Sequence, residues 1–412
     1  FSDEFEVDGR SFKDGHDAIW TAVEGVPDKD QHNAYNSSLA YTRKGMLYLE
    51  ASSDDWISPD ASRKERHYQT ANIQTWNKFC FTEGFVEVRA HLPGRPDVSG
   101  LAPRLWLAGN LGRASFPDTL EGVRPYSYNQ CPSSTNRRAN QYPERTQEFS
   151  KCGRGKGRGS PEISIIDGRP GREVYDYQDK VDSGACGPVD NETVALLRVA
   201  EPYSCSTLHV APGLPPDSLD RPTPGCAPGT VTVPGGGAPR SQHYEALLPV
   251  ASNYGDGGAY GTDLPVALNM EGYGEAGRVR GEATRSDALS ACTMLGASHF
   301  EELHSWQAHW KAGEEGSVEF SLDGQRQYTV TATSVLGPER AVAFRDGDAA
   351  GTLLPRLVPE EPMYINLNVD LGPAWGWRSC DPRRCDCCTD CKRSSCTACL
   401  ETQANGSVVN TR

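Results

Sequence analysis

An all-β sandwich is the fold class this sequence predicts, and three observations carry that prediction. The stretch Gly84-Phe85-Val86-Glu87-Val88-Arg89-Ala90 places Phe85, Glu87 and Arg89 on one face and Val86, Val88 and Ala90 on the other. That period-two pattern is what a half-buried sandwich strand needs. Val318-Glu319-Phe320-Ser321-Leu322 repeats the pattern and runs into Asp323-Gly324, a dipeptide suited to the two positive-φ positions of a tight hairpin turn. Short alternating stretches broken by Gly and Asp also fill the first 49 residues, where Lys44-Gly45-Met46-Leu47-Tyr48-Leu49 reads as a turn into a strand.

The central strand is Glu162-Ile163-Ser164-Ile165-Ile166-Asp167, reached through the glycine-rich Gly157-Arg158-Gly159-Ser160-Pro161 and left at Gly168. Strict alternation puts Glu162 and Ser164 on one face, Ile163 and Ile165 on the other, and Asp167 on the apolar side. One extra residue around Ile165-Ile166, a β-bulge, would return Asp167 to the face of Glu162, and bulges gather beside active sites because they re-aim side chains. Two carboxyl groups roughly 5 Å apart are what a retaining glycosidase uses, one as nucleophile and one as acid/base. An ordinary strand with charged ends has the same appearance.

Other elements follow in order. Leu105-Trp106-Leu107 is strand-like, and the ring of Trp106 could pack in a core or receive the C–H face of a sugar. Tyr126 and Tyr128, two apart, share a face if extended. Residues 132–160 are polar and basic, which reads as a solvated loop feeding the central strand, with acidic-polysaccharide binding as the sharper alternative. Between Ala211 and Pro239, Gly and Pro make up 14 of 29 residues, too many for regular structure, so an inserted surface loop is expected, stapled by Cys186, Cys205 or Cys226. His304, Trp306, Ala308 and Trp310 alternate onto one face of a further strand.

Composition bounds the function. Forty-one basic against 55 acidic residues, a net charge of −14, disfavour a nucleic-acid or anionic-membrane partner. Fourteen cysteines and the acceptor sequons at Asn36, Asn191 and Asn405 point to the secretory pathway, where disulfides and glycosylation occur. Seven of those cysteines fall in the 20 residues from Cys380 to Cys399. Two Cys-x-x-Cys pairs there permit zinc, but their four-residue separation is short for a zinc ribbon, so a disulfide knot is preferred. No run of 18 apolar residues spans a membrane, and the chain starts at Phe1 without Met or a signal-like segment. It is therefore read as processed or excerpted, with any membrane attachment supplied by a segment absent from this chain.

Several blocks in fixed order carry a resemblance. They are Phe1-Ser2-Asp3-Glu4-Phe5 with Trp20, Phe79-Cys80-Phe81-Thr82-Glu83-Gly84-Phe85, Leu92-Pro93-Gly94, Ala102-Pro103-Arg104-Leu105-Trp106, Gly109-Asn110-Leu111-Gly112-Arg113 and Pro125-Tyr126-Ser127-Tyr128. Later come Asp287-Ala288-Leu289, His299-Phe300, His304, Trp310, Asp323-Gly324, Pro359-Glu360-Glu361-Pro362-Met363 and Asn366-Leu367-Asn368. With these blocks the chain resembles the beta-glucan synthesis-associated branch of the family 16 glycoside hydrolases. The resemblance implies a concanavalin-like jelly roll of two antiparallel sheets with a carbohydrate groove. It divides the chain into a sandwich domain over 1–375, with an insertion at about 183–240, and a cysteine-rich tail over 376–412.

The family motif Glu-x-Asp-x-x-Glu reads here Glu162-x-Ser164-x-x-Asp167, so Glu162 is the implied nucleophile, Asp167 the acid/base, and Ser164 replaces the middle carboxylate. The shorter Asp reaches about one methylene less, and a misplacement near 1 Å costs on the order of a hundredfold in rate. The family's Trp-Pro-Ala is Ala102-Pro103-Arg104, which thins one aromatic wall. Trp106, Asn110, Tyr126, Tyr128, His304 and Trp310 are the implied substrate-binding residues, and β-glucan the implied partner. No cofactor is implied; some family sandwiches carry structural calcium, but no ligand cluster in this sequence asks for one. The expected activity is a retaining β-glucan glycosidase or transglycosylase acting in β-1,6/β-1,3-glucan biosynthesis or wall remodelling, in the secretory lumen, at the cell surface or in the wall. Two other classes compete: a catalytically silent β-glucan-binding or assembly factor, and a structural secreted protein that cross-links through its tail.

Overall fold

The computed structural model describes residues 1–26, 33–59, 65–96, 101–110, 161–169, 203–210, 287–313, 315–332 and 358–371. Short strand pieces at 223–224, 230–232, 240–241, 267–268, 340–342, 351–353, 400–402 and 408–410 complete that set. Tyr126, Tyr128, Asn191, Asn405, the basic stretch and the cysteines of the tail lie outside the described residues.

Two antiparallel sheets make the sandwich. We label its strands β1 (Thr21–Ala22), β2 (Asn72–Gln74), β3 (Gly84–Ala90), β4 (Ala102–Gly109), β5 (Glu162–Arg169) and β6 (Tyr203–Val210). The remainder are β7 (Ala267–Leu268), β8 (Asp287–Met294), β9 (His304–Lys311), β10 (Ser317–Leu322), β11 (Gln325–Thr331) and β12 (Met363–Asp370). Eight strands pair in the order β1-β2-β12-β4-β5-β6-β8-β7, and four in the order β3-β9-β10-β11. The late strand β12 sits between the early strands β2 and β4, so the sheet closes only when distant parts of the chain meet.

The expected alternation fills the space between the sheets. From the larger sheet come Ile73, Leu105, Leu107, Ile163, Ile165, Leu208, Ile365 and Leu367; from the smaller come Val86, Trp306, Ala308, Trp310, Val318, Phe320, Leu322 and Val330. Each fully buried side chain of this size contributes on the order of 1.5–3 kcal/mol of transfer free energy. Both hairpins form as their turn residues dictate. Lys44 and Gly45, at φ 53° and 69°, join the Ala40–Arg43 and Met46–Leu49 strands, and Asp323 and Gly324, at φ 52° and 75°, join β10 to β11.

The N-terminal segment is held by one charged cluster. The Arg10 guanidinium bonds Asp3 at 2.7 Å and Asp17 at 2.8 Å, while the Trp20 indole N–H donates to Asp3. Burial opposes ionisation of both carboxyls. Hydrogen bonds from Arg10, Trp20 and backbone amides outweigh it and hold both below the usual carboxylate range. Cys205, buried on β6, is disulfide-bonded. Among the described residues no helix is long and apolar enough to cross a membrane, and no cluster of three or more His, Cys, Asp or Glu side chains could hold a metal ion.

Candidate active site

The strand β5 carries the expected bulge. Trp106 of β4 pairs with Ser164 while Leu105 pairs with Ile166, leaving Ile165 as the extra residue. Glu162, Ser164 and Asp167 consequently share the face turned away from the core, while Ile163 and Ile165 enter it. All three polar side chains are buried.

Arg104 links the two carboxylates. It pairs with Asp167 across the β4–β5 ladder, and its guanidinium lies 2.9 Å from Glu162 through Nη2 and 3.8 Å from Asp167 through Nε. The same group sits 5.3 Å from the centroid of the Trp106 ring, within cation–π range. Ser164 donates to Glu162 at 3.2 Å, and His209 of β6 approaches Glu162 at 3.4 Å and the Ser164 hydroxyl at 3.5 Å. Glu162 thus meets a guanidinium, a hydroxyl and an imidazole.

Trp106 belongs to this face rather than to the main core. It clusters with Ala108, Tyr364 and Trp76, and its indole N–H donates to Asn368 at 2.9 Å. Asn368 in turn donates to Asp370, which also accepts from the Tyr35 hydroxyl. That buried chain fixes the plane of the indole. Asn110, at the end of β4, accepts the Trp76 indole N–H through its carbonyl at 3.3 Å and continues the Trp106/Ala108 parity.

Two expected site residues lie elsewhere. Trp310 is 1% exposed in the core between the sheets, with Phe81 against its edge and its N–H on the Pro359 carbonyl. It is a packing residue, because its strand presents Trp306, Ala308 and Trp310 to the apolar interior. His304 begins the same strand of the four-stranded sheet, stacked on His299 and bonded to Asp323 at 2.7 Å. It supports the β10–β11 turn, with the core between it and Glu162. Asn36 caps a short 3-10 helix, accepting from Ser38 and donating its amide to Gln69 at 2.6 Å.

Arg104 and His209 were missed by sequence reasoning as members of the site. Arg104 was visible only as an absent small residue, because its contact with Asp167 depends on the bulged register. Alternation along Thr207-Leu208-His209 could have placed His209 on a polar face, yet its strand partner is not readable locally.

The beta-glucan synthesis-associated protein SKN1/KRE6/Sbg1 family model matches residues 1–206, half of the chain. The chain belongs to that family. The SKN1 beta-glucan synthesis-associated protein of Saccharomyces cerevisiae is 38% identical over 183 residues, 41% of this chain and 23% of the relative. The KRE6 protein of the same yeast is 35% identical over 188 residues, covering 42% and 25%, and that of Candida albicans is 35% identical over 183 residues, covering 41% and 24%. The match therefore spans about a quarter of the length of these relatives. Among solved structures, the Pyrococcus furiosus endo-beta-1,3-glucanase is similar over 90% of this chain and 82% of its own, at 14% identity and TM-score 0.41. A Zobellia galactanivorans LamA variant in complex with laminaritriose and laminaritetraose is similar at the same identity and score, over 90% and 88%. Likeness at that level assigns no residue a role.

Proposed function

We propose that this member of the SKN1/KRE6/Sbg1 family handles β-glucan on the face of β4, β5 and β12, and cleaves and re-forms glucosidic bonds there by a retaining mechanism. The observation that carries the reading is the bulge at Ile165, which turns Asp167 to the side of Glu162 beside Trp106. Glu162 attacks the anomeric carbon, and Asp167 protonates the departing glycosidic oxygen as its bond to carbon breaks. The resulting glycosyl ester is opened by water or by a hydroxyl of a second glucan, with Asp167 taking up that proton. Ser164 and His209 hold Glu162 in place, and Trp106 receives the apolar face of a glucosyl ring. The beta-glucan synthesis named for the relatives makes the acceptor reaction, chain building or remodelling, the preferred outcome. The setting is the secretory lumen, cell surface or wall, reached with Asn36, Asn191 and Asn405 as glycan acceptors.

One observation favours a second reading. Arg104 lies within ion-pair reach of both carboxylates and over the Trp106 ring, which suits a catalytically silent glucan-binding or assembly factor. Incubating the chain with β-1,3- and β-1,6-linked gluco-oligosaccharides and weighing the products separates the two. Shorter or longer oligomers that vanish in Glu162→Gln support transfer or hydrolysis. Oligomers that bind without any change of mass overturn the enzymatic reading and leave the binding one.

A further inference from the structure

Between β8 and β9 the chain passes from the eight-stranded sheet to the four-stranded one, and two histidines fasten that connection. Its short helical turn Ser298–Glu301 holds the ring of His299 against that of His304, at a centroid distance of 4.2 Å and an interplanar angle of 15°. The backbone N–H of Gly296 donates to His299 Nδ1 at 3.1 Å, so that nitrogen carries the lone pair and the ring is neutral. His304 Nδ1 donates to the Asp323 carboxylate at 2.7 Å. Its Nε2 is buried without a hydrogen-bond partner among the described residues, a place for a lone pair rather than for a second N–H. The His299 carbonyl accepts the Leu92 amide at 2.7 Å, which bolts the segment following β3 to the same turn.

We infer that His299 is an acid-operated latch: neutral, it holds the β8–β9 connection and the Leu92 segment closed, and protonated, it releases them. A proton on Nδ1 ends its acceptance from Gly296 and leaves an N–H that reaches the Gly296 carbonyl only at 3.4 Å. It also sets a cation face to face with His304, whose Nε2 has no acceptor for a second N–H, so neither ring of the stack takes a proton without loss. Burial first, and then the neighbouring His304, push the His299 pKa below its ordinary value against the opposing pull of Gly296 and Asp323. The other charged groups around the stack are already engaged or turned to solvent. Asp323 is bonded to His304 and to the Ser305 amide, Glu87 of β3 to the Ser305 hydroxyl, and His91 to the Leu92 carbonyl. Arg89 of β3, opposite Ser305 in the ladder, adds positive charge, and Glu301 and Glu302 on the turn itself are exposed. The latch governs local order at Leu92 and along 296–302, with the core between it and Glu162.

Hydrogen exchange of the full chain tests the latch, read by mass spectrometry at about pH 7.5 and about pH 5, either side of the ordinary histidine value, and corrected for the intrinsic chemical rate at each. The amides of Leu92, Phe300 and Glu302 bond to the carbonyls of His299, Ala297 and Ser298. On acidification they are expected to lose about tenfold or more of their protection, up to about tenfold per pH unit for one proton, while the amides of β10 keep theirs. His299→Asn retains an acceptor for Gly296 but takes no proton, so in that variant the loss should disappear. The same acid loss in His299→Asn, no loss in wild type, or a loss shared equally by β10 overturns the latch. Should His299→Asn fail to fold, the His299 ring is titrated in the wild-type chain by NMR with labelled histidine. Its midpoint must coincide with that of the opening, and separate midpoints overturn the proposal.

Discussion

The two faces of the eight-stranded sheet are built from the same strands yet obey opposite rules. On the inner face Ile73, Leu105, Leu107, Ile163 and Leu367 pack against a second sheet, and any residue of similar size and apolarity would serve. On the other face Gln74, Trp106, Glu162, Ser164, Asp167, His209 and Asn366 are buried although nearly all are polar, and Arg104 is partly buried among them. Burying that many polar groups costs free energy, so one face is arranged for stability and the other for chemistry. The bulge at Ile165 lets one strand serve both, since it changes the parity of Asp167 without moving the isoleucines out of the core.

The sharpest test of that contrast uses two tryptophans. Trp310→Ala, in the core, is expected to cost about 3–5 kcal/mol in urea unfolding with little specific effect on glucan affinity per folded molecule. Trp106→Ala should cost less, about 1–3 kcal/mol, because its cluster is small, and should weaken oligosaccharide binding at least about tenfold. Equal unfolding costs and equal binding losses would erase the distinction between the faces.

A smaller effect is expected at the seam between β4 and β5. A Cβ on Gly168 would lie 2.7 Å from Cγ and 3.0 Å from Cδ of Pro103, a ring that cannot rotate away. Gly168→Ala should lose about 1–3 kcal/mol by overpacking. It should also lower any turnover more than its stability loss accounts for, because the adjacent Asp167 shifts. Unchanged stability would mean that the two strands separate easily there.

The smallest effect concerns pH and leaves both faces alone. Asp3 and Asp17 have folded pKa values below their unfolded ones, so their contribution is present above the unfolded carboxylate value near 3.9. It is lost as pH falls from there through the folded values. Stability measured from pH 5 downward should fall less steeply in Asp3→Asn than in wild type. His299 has its pKa lowered, first by burial and then by the neighbouring His304. Its contribution is likewise present above the unfolded value near 6.5 and declines as pH falls through the folded one.

Much of the fold was legible because period-two alternation is a local signal. Gly84–Ala90, His304–Trp310 and Val318–Leu322 present the faces their spacing predicts, and Asp323-Gly324 turns where its φ preference allows. The bulge was legible only as a condition: strict alternation leaves Asp167 on the apolar side, and it took the β4–β5 register to show the extra residue at Ile165. His304 and Trp310 misled because alternation gives a shared face without saying whether it meets the core or a ligand.

Sequence alone determined the strand periods, the hairpin turns and the family blocks, all of which depend on residues close along the chain. Only the tertiary structure decided which strands neighbour one another. Arg104 reaches Glu162 and Asp167, His209 reaches Ser164, and Asn366 falls between Trp106 and Gln74 through ladders joining residues far apart in sequence. Such contacts arise from strand order and register, which are set by the packing of the whole sandwich rather than by any one segment.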